Sequence, residues 1–476
     1  MSRILITGAN GFIGSHLVRK LLELKEEHQW EEEIVCMVRS TSDISSLKGL
    51  DVKLIIGDLR DPESLIPAVK GAAYIYHLGA ELFTISRKRY FESITVGTEN
   101  LLKAAVQHAR NSLKRFLFVS TQAAAGPATD KTPITEERTP PPPVSWYAET
   151  KLEAEKISKQ YMSELPITIV RPCSVYGERD LVIYQIYQWV KMRIHGLTGF
   201  RKRYTGMVYV KDVVEGMIAA AQHKDSIGET YFLANPENYS VNQVNKTLAK
   251  AMGKPWGLTI PVPLFIFWIM ALFAELFYLF LRNTPIPTRD KVHDISQVYW
   301  LCTPAKAGKH FGWEAKHSLL EGMKATCDYI KEEERLLKKM PLEPRGILWV
   351  KYFFLSLVFG AVIEALAAFG KLYYFKPWWI VLIIVPLFWG GIFATLCKVT
   401  RTCHCVVQFL VGFILLSGLE ILNHSSPGLW AFYNDSLCGI TDPVLRAVVL
   451  GIGTGILVII INACMGQFYK RKLRLG

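Results

Sequence analysis

The chain has 476 residues, which is too long for one compact domain. Hydrophobic residues make up 50% of it, and 55 lysines and arginines against 42 acids give a net charge of +13. Basic residues flank apolar stretches, so the charge indicates attraction to anionic lipid and excludes nucleic acid as the expected partner. The nine cysteines are an odd number, which argues against a disulfide framework. The Cys-His-Cys sequence at 403–405 fits no common zinc spacing, and no metal site is predicted.

The first predicted element is a strand from Arg3 to Thr7, followed at once by a glycine-rich turn and a helix. Glycines at every third position there allow a tight turn and the close approach of a pyrophosphate. The helix that begins near Phe12 directs the positive end of its dipole at that phosphate. We therefore predict a dinucleotide site whose contacts include Gly8, Asn10, Gly11, Phe12, Ile13 and Gly14.

Further strands alternate with helical stretches such as Thr98 to Ala109. This alternation predicts an α/β fold with a doubly wound parallel Rossmann sheet, whose ligands lie at the carboxyl ends of the strands. The predicted strands after the first are Ile34 to Val38, Val52 to Ile56, Ala73 to Leu78 and Phe116 to Ser120.

The second strand ends at Arg39 without the acid that commonly holds an NAD ribose. A guanidinium can grip a 2′-phosphate with two hydrogen bonds, so NADP is favoured and NAD stays possible. The alternative is that Arg39 stacks on the adenine without selecting a cofactor. Asp58, followed by Leu59, is expected either to accept from the adenine amino group or to cap the turn that follows it.

Tyr147 and Lys151 lie four residues apart at the start of a predicted helix and therefore share one face. A nearby cation favours the phenolate, so Lys151 is expected to lower the pKa of Tyr147. The pair would then supply a proton donor and acceptor near neutral pH.

Segments in a fixed order resemble the motifs of extended short-chain dehydrogenases/reductases, over residues 1 to about 335. The resemblance implies that Tyr147 transfers a proton, that Thr121 donates a hydrogen bond to the substrate oxygen, and that Lys151 also holds the nicotinamide ribose. The same resemblance places Pro172 beside the cofactor. The segments are Thr7 to Gly14, Gly57 to Leu59, Phe118 to Gly126, Tyr147 to Lys151, Arg171 to Gly177 and Val208 to Val213.

Two positions depart from the pattern of this family. Ile94 stands where many relatives carry an asparagine, so a proton relay through that residue must be missing or replaced. Gly79 stands where an alanine is usual, and its smaller size would widen the space near the nicotinamide.

Within the family, the chain resembles the 3β-hydroxysteroid dehydrogenase/isomerase branch, because an apolar stretch from Leu258 to Leu281 interrupts the substrate part. This resemblance implies an oxidoreductase that interconverts a secondary alcohol and a ketone on a sterol-like or other lipophilic substrate, with a homodimer possible. The alternative is an epimerase or dehydratase of a nucleotide- or polyprenyl-linked sugar. Its phosphates would need basic residues, which Arg201, Lys202 and Arg203 could supply.

The predicted domains are a dehydrogenase domain over 1–340 and a membrane domain over 341–476 with about four helices. The substrate subdomain falls mainly within 175–335, and residues 258–282 are predicted to associate with the membrane. Four apolar stretches lie within the second domain. The basic residues around them predict a multi-pass integral membrane protein whose catalytic domain faces the cytoplasm, with membrane lipid as a partner. The stretches are Ile347 to Phe369, Trp378 to Leu396, Val406 to Leu422 and Ala447 to Cys464.

Overall fold

A seven-stranded parallel sheet lies at the centre of the computed structural model, which describes residues 2–82, 84–138, 142–281 and 288–339. The strands in chain order are β1 (Arg3–Thr7), β2 (Glu33–Val38), β3 (Lys53–Ile56), β4 (Ala72–His77), β5 (Arg115–Val119), β6 (Ile167–Pro172), β7 (Ser174–Tyr176), β8 (Ile194–Thr198), β9 (Tyr204–Tyr209), β10 (Thr230–Leu233), β11 (Asn238–Ser240), β12 (Leu258–Val262) and β13 (Tyr299–Trp300).

Helices follow most strands of the first half and cover both faces of the sheet. They are α1 (Phe12–His28), α2 (Pro62–Val69), α3 (Arg87–Tyr90), α4 (Gly97–His108), α5 (Trp146–Gln160), α6 (Leu181–Lys191), α7 (Val210–Gln222), α8 (Val241–Ala251), α9 (Leu264–Leu281), α10 (Arg289–Ser296), α11 (Ala305–Phe311) and α12 (Leu319–Lys339).

The order of the central strands is β10-β6-β5-β4-β1-β2-β3. From β1 the chain first builds toward β3 and then returns to build β4, β5 and β6 on the other side. The reversal opens a crevice at the carboxyl ends of β1 and β4, where ligands of such sheets bind. The predicted doubly wound parallel sheet is confirmed. The first predicted strand has the observed bounds, and the bounds of the other four are each within one residue of the observed ones.

Continuous apolar runs explain why these strands are central. Leu5, Ile75 and Phe116 are fully buried, and alternate residues of each strand face opposite layers of helices. One apolar layer packs under α1 and α7, and the other packs under α2, α4 and α5. The sheet is therefore a rigid base for the loops at its carboxyl edge.

A second group of elements follows β6 and forms the predicted substrate part. Strands β7, β11 and β13 pair with β9, while β8 pairs with β12. Helices α6, α8 and α12 pack around a separate apolar cluster centred on Tyr187, Leu248 and Met323. Residues 258–262, the first part of the predicted membrane-associated segment, form a strand rather than a helix.

Residues Met1–Glu334 and Arg335–Gly476 form two separate units. The prediction of a multi-pass integral membrane protein is contradicted. Across the described ranges that end at residue 339, every helix is too short or too polar to cross a bilayer. The four predicted spans between residues 347 and 464, and the cysteines at 403 and 405, lie outside the described residues. The proposed domain limits stay predictions.

Candidate active site

The glycine turn after β1 holds a backbone conformation that requires its glycines. Gly8 has φ +70°, and an added Cβ there would lie 2.9 Å from the backbone nitrogen of Gly79. A Cβ on Gly14 would collide with the carbonyl oxygen of Gly8. Phe12 and Ile13 begin α1, whose amino end faces the crevice, and Asn10 Nδ2 donates to the Asp43 carbonyl at 3.0 Å. The turn is thus an open cradle of backbone amides that suits a pyrophosphate.

The adenine end of the predicted site carries two exposed arginines rather than one. Arg39 follows β2 as expected, and Arg60 grips the carboxylate of Asp58 with bonds of 3.0 and 2.6 Å. These bonds, with a contribution from Arg39, lower the pKa of Asp58 to about 2. Asp58 also accepts from the Arg60 amide, as a turn cap does. Sequence reasoning missed Arg60, although its position two residues after Asp58 favours such a turn.

Leu59 lies between the adenine end and the centre of the crevice. Its carbonyl accepts from Asn100 Nδ2 at 2.9 Å, which fixes the loop after β3 to α4. A Cβ on Gly79 would lie 2.9 Å from Leu59 Cδ1 and 3.0 Å from Thr7 Oγ1. The expected extra space at Gly79 is therefore filled by Leu59 and Thr7.

Helix α5 carries Tyr147 and Lys151 into the crevice, and its middle is fixed to the sheet. Lys151 is 3% exposed, and its Nζ donates to the Val119 carbonyl at 2.8 Å. One turn further on, Glu155 accepts two bonds from Arg171 of β6, at 2.8 and 2.5 Å, and one from Ser120 Oγ at 2.5 Å. This buried ion pair sets the rotation of α5 and hence the direction of Tyr147.

Thr121 meets Tyr147 at the carboxyl end of β5. The Thr121 side chain lies close enough to Tyr147 to oppose the rise in the pKa of the phenol. Thr121 Oγ1 accepts from the Ala123 amide at 3.3 Å, because Thr121 caps the short 3-10 turn Gln122–Ala125. The structure therefore brings together Tyr147, the predicted proton donor, and Thr121, the predicted hydrogen-bond donor to the substrate oxygen.

The pKa of Tyr147 is raised, which contradicts the expected effect of Lys151. Burial is the largest cause, the charges of Tyr90 and Asp294 add to it, and the nearby Thr121 side chain opposes it. Burial also lowers the pKa of Lys151 to about 8. Because the ammonium bonds to Val119 and lies 4.9 Å from the centre of the Phe118 ring, it is directed under the sheet edge and away from the phenol.

A buried histidine links the end of β1 to α4, near the position at which many relatives carry the relay asparagine. His77 Nδ1 lies 2.7 Å from Thr7 Oγ1, and Nε2 lies 3.0 Å from Thr98 Oγ1. Thr98 donates to the carbonyl of Ile94, whose side chain is buried in the apolar layer. Burial and then the charge of Lys151 lower the pKa of His77 to about 3, so the ring is neutral. Ile94 itself brings no polar side chain to the site.

Pro172 ends β6 at the same edge of the sheet as Thr121. Its strand is paired with β5 on one side and β10 on the other, so Pro172 is fixed at the crevice. The structure thus places the predicted catalytic and cofactor residues along one edge, with Arg39 and Asp58 at one end and Pro172 at the other.

Sequence reasoning missed the contribution of α10 to the site. The carboxylate of Asp290 accepts from the backbone amide of Trp146 at 2.7 Å and lies beside the amide of Tyr147. Burial raises the pKa of Asp290. The contact joins residues 144 positions apart, and short-range sequence patterns do not reveal it.

Comparison with known proteins finds a family model and relatives that are similar to part of this chain. Residues 4–234 match the NAD dependent epimerase/dehydratase family. Sterol-4-alpha-carboxylate 3-dehydrogenase, decarboxylating, from Dictyostelium discoideum is 24% identical over 68% of this chain and 99% of its own length. The 3 beta-hydroxysteroid dehydrogenase/Delta 5-->4-isomerase of Mycobacterium tuberculosis is 26% identical over 69% of this chain and 90% of its own.

A solved structure shares the fold. The UDP-glucose 4-epimerase of Thermotoga maritima, determined with UDP-glucose, matches with a TM-score of 0.55 and 24% identity. The match covers 69% of this chain and 99% of that structure. The relatives therefore include redox enzymes of sterols and an enzyme of nucleotide sugars.

Proposed function

We propose that the chain is an oxidoreductase that interconverts a secondary alcohol and a ketone on a sterol-like or other lipophilic substrate, because residues 4–234 match the NAD dependent epimerase/dehydratase family. The observation that carries the proposal is the position of Thr121 next to Tyr147 at the crevice, beside the glycine cradle. Family and cradle agree on NAD(P) as the cofactor, which supplies or takes the hydride when it is bound.

The cofactor would be held along the carboxyl edge of the sheet. The turn from Gly8 to Gly14 would take the pyrophosphate, because only glycines leave room for the backbone to approach it. Arg39 is exposed beyond β2, and Arg60 lies beside Asp58, so two guanidinium groups would border the adenine ribose of a bound cofactor. We propose NADP over NAD on this charge, since a 2′-phosphate pairs well with guanidinium groups.

The side chains of the chain would then handle the substrate oxygen. Thr121 would donate a hydrogen bond to that oxygen as negative charge develops on it. Tyr147 would give the proton to the oxygen during reduction and remove it during oxidation. Lys151, whose Nζ donates to the Val119 carbonyl at this edge, would hold the nicotinamide ribose.

A lipophilic substrate is supported by the surface next to α10. Helix α9 packs against α10 through an Arg289–Glu275 bond of 2.6 Å and an edge-on contact of Trp268 with His293. On α9, the side chains of Phe265 and Ile269 are 63% and 47% exposed. An apolar surface thus borders the element that touches Tyr147, and an apolar substrate would lose water on it.

The alternative is an epimerase or dehydratase of a nucleotide- or polyprenyl-linked sugar, which the fold also accommodates. Arg203 supports it poorly, because the guanidinium is 8% exposed and donates to the backbone carbonyls of Thr198, Arg201 and Ser296. Dehydration also needs a second acid or base, and the residues after Thr121, Gln122 to Ala125, carry no carboxylate. Arg201 and Lys202 are exposed and keep the epimerase reading open.

The test is turnover by the full chain with Tyr147→Phe. The variant should bind NADPH like the parent and lose about 100- to 10,000-fold in the rate of NADPH oxidation with sterol ketones, the usual worth of a general acid. Tyr161→Phe, near the far end of α5, is the matched control and should keep its activity. A Tyr147→Phe variant that retains turnover overturns the proposal. Sugar inversion without net NADPH oxidation favours the alternative.

A further inference from the structure

Helix α10 delivers three charged side chains to the start of α5. Asp290 accepts from the first amide of α5, that of Trp146, at 2.7 Å, and lies beside the next amide, that of Tyr147. It is 7% exposed, so this cap is buried. A side-chain cap of this kind fixes the first turn of a helix, and here that turn carries the proposed proton donor.

Lys291 lies beside the ring of Tyr147, with 5.7 Å between Nζ and the ring centre. Asp294, one turn further along α10, bonds to Lys291 Nζ at 2.7 Å and holds the ammonium there. A cation near an aromatic face is attracted by the ring and favours negative charge on its oxygen. Lys291 therefore lies against the Tyr147 ring, where Lys151 was expected to act.

Asp294 has a second feature that a simple surface ion pair lacks. Asp294 is 5% exposed, and its Oδ1 atom is buried with no hydrogen-bond partner among the described residues. Its negative charge raises the pKa of both Tyr147 and Tyr90. A half-satisfied buried carboxylate is costly, and such groups are common where charge is used in a reaction.

We propose that Lys291 and Asp294 are positioning residues that set the acidity of the Tyr147 hydroxyl in opposite directions, while Asp290 fixes the turn that carries it. The proposal rests on the proposed function, in which Tyr147 transfers the proton. The other groups that face Tyr147 are Tyr90 from α3 and the hydroxyl of Thr121. Lys151 on its own helix is directed toward Val119. Proton delivery in this enzyme would therefore depend on residues outside the segment 4–234.

The test replaces Tyr147 by a fluorinated tyrosine, whose phenol has a lower intrinsic pKa and so titrates at a pH that the folded chain tolerates. Its ionisation is followed by ultraviolet difference titration with Tyr147→Phe as the blank, so the test requires no substrate. Lys291→Met removes the cation but keeps an unbranched stem, and should raise the titration midpoint of Tyr147 by about one pH unit. Lys291→Arg should restore the parent midpoint. Asp294→Asn removes the negative charge and should lower the midpoint by a similar amount.

The matched control is Lys156→Met, which breaks an exposed ion pair of the same spacing, Lys156 with Glu153, on α5 itself. It should leave the midpoint unchanged. Unchanged midpoints in both α10 variants overturn the proposal, and so do shifts in the same direction, since a merely structural role would move both alike. If the midpoints shift as expected while Tyr147→Phe keeps turnover, the tuning stands and the proposed function fails.

Discussion

The middle of α5 and its first turn are held in place in different ways. The middle of the helix is bound to the sheet through Lys151 and Glu155, whose partners Val119 and Arg171 lie in strands of the matched segment 4–234. The first turn is bound by Asp290, which lies beyond that segment. Family motifs therefore cover the part that orients the proposed catalytic side chains, while the charges of Lys291 and Asp294 near Tyr147 come from a part that the motifs do not cover.

This difference has an energetic side. The Glu155–Arg171 pair is nearly inaccessible, with side-chain exposures of 1% and 5%, so neither charge can be solvated if the other is removed. The Lys291–Asp294 pair has one side chain in partial contact with water, at 39% exposure. We infer that the first pair holds the structure of the site and the second adjusts its chemistry.

The largest expected effect is on the buried pair. Glu155→Leu leaves the Arg171 guanidinium buried without its partner, and should lower the free energy of unfolding by about 3–5 kcal/mol. Urea denaturation of the full chain measures it. The control is Arg87→Ala, which breaks an exposed pair with Glu149 on the same helix and should cost no more than about 1 kcal/mol. Equal losses in the free energy of unfolding of the two variants would contradict the distinction between the buried pair and the exposed one.

Acid should lower the folding stability of the segment 4–234, because His77 is hard to protonate in the folded protein. Its folded pKa of about 3 lies below the unfolded value, so the unfolded chain takes up a proton that the folded protein does not. Stability is complete above about pH 6.5 and falls toward pH 3, by about 1.4 kcal/mol per pH unit. The raised pKa of Asp290 acts in the other direction, since its protonation favours the folded state as the pH falls.

The contribution of His77 is isolated by comparing the parent with His77→Asn, which removes the titrating ring. Denaturant midpoints measured between about pH 6 and pH 4 should fall less steeply in the variant. Identical slopes would mean that the ring is protonated in the folded protein, contrary to the burial between Thr7 and Thr98.

A smaller effect is expected at the adenine end. Arg39→Ala should weaken NADPH binding by about tenfold, the worth of one charge-assisted hydrogen bond, and NADH binding by less. Fluorescence titration of the full chain with each cofactor measures the difference. Equal weakening of both cofactors would support the alternative in which Arg39 only stacks on the adenine.

Local patterns were enough to predict the sheet and the nucleotide turn. An apolar run followed by Gly8, Gly11 and Gly14 is typical of few other local structures. The structure explains the glycines, since Gly8 has a positive φ and a Cβ on Gly14 would collide with backbone. The Tyr147–Lys151 spacing likewise predicted a shared helix face. These features depend on residues within a few positions of one another.

The parts that failed depend on distant contacts. The pKa direction of Tyr147 was wrong because the burial of the ring and the charge of Asp294 outweigh a lysine that bonds elsewhere. The membrane localisation was read from apolar stretches and from the basic residues around them, and neither pattern reports the contacts of a side chain in the folded protein. Glu275 in the stretch up to Leu281 shows the difficulty, since it is buried against Arg289 of α10.

The most direct test of the redox function is to follow the hydride itself. The full chain is supplied with NADPH carrying deuterium at the transferable position of the nicotinamide, together with a mixture of sterol ketones and nucleotide sugars. We predict that deuterium appears on the carbinol carbon of a released lipid alcohol, with one NADP formed for each label transferred. Label that stays on the cofactor while a sugar centre inverts would contradict the account.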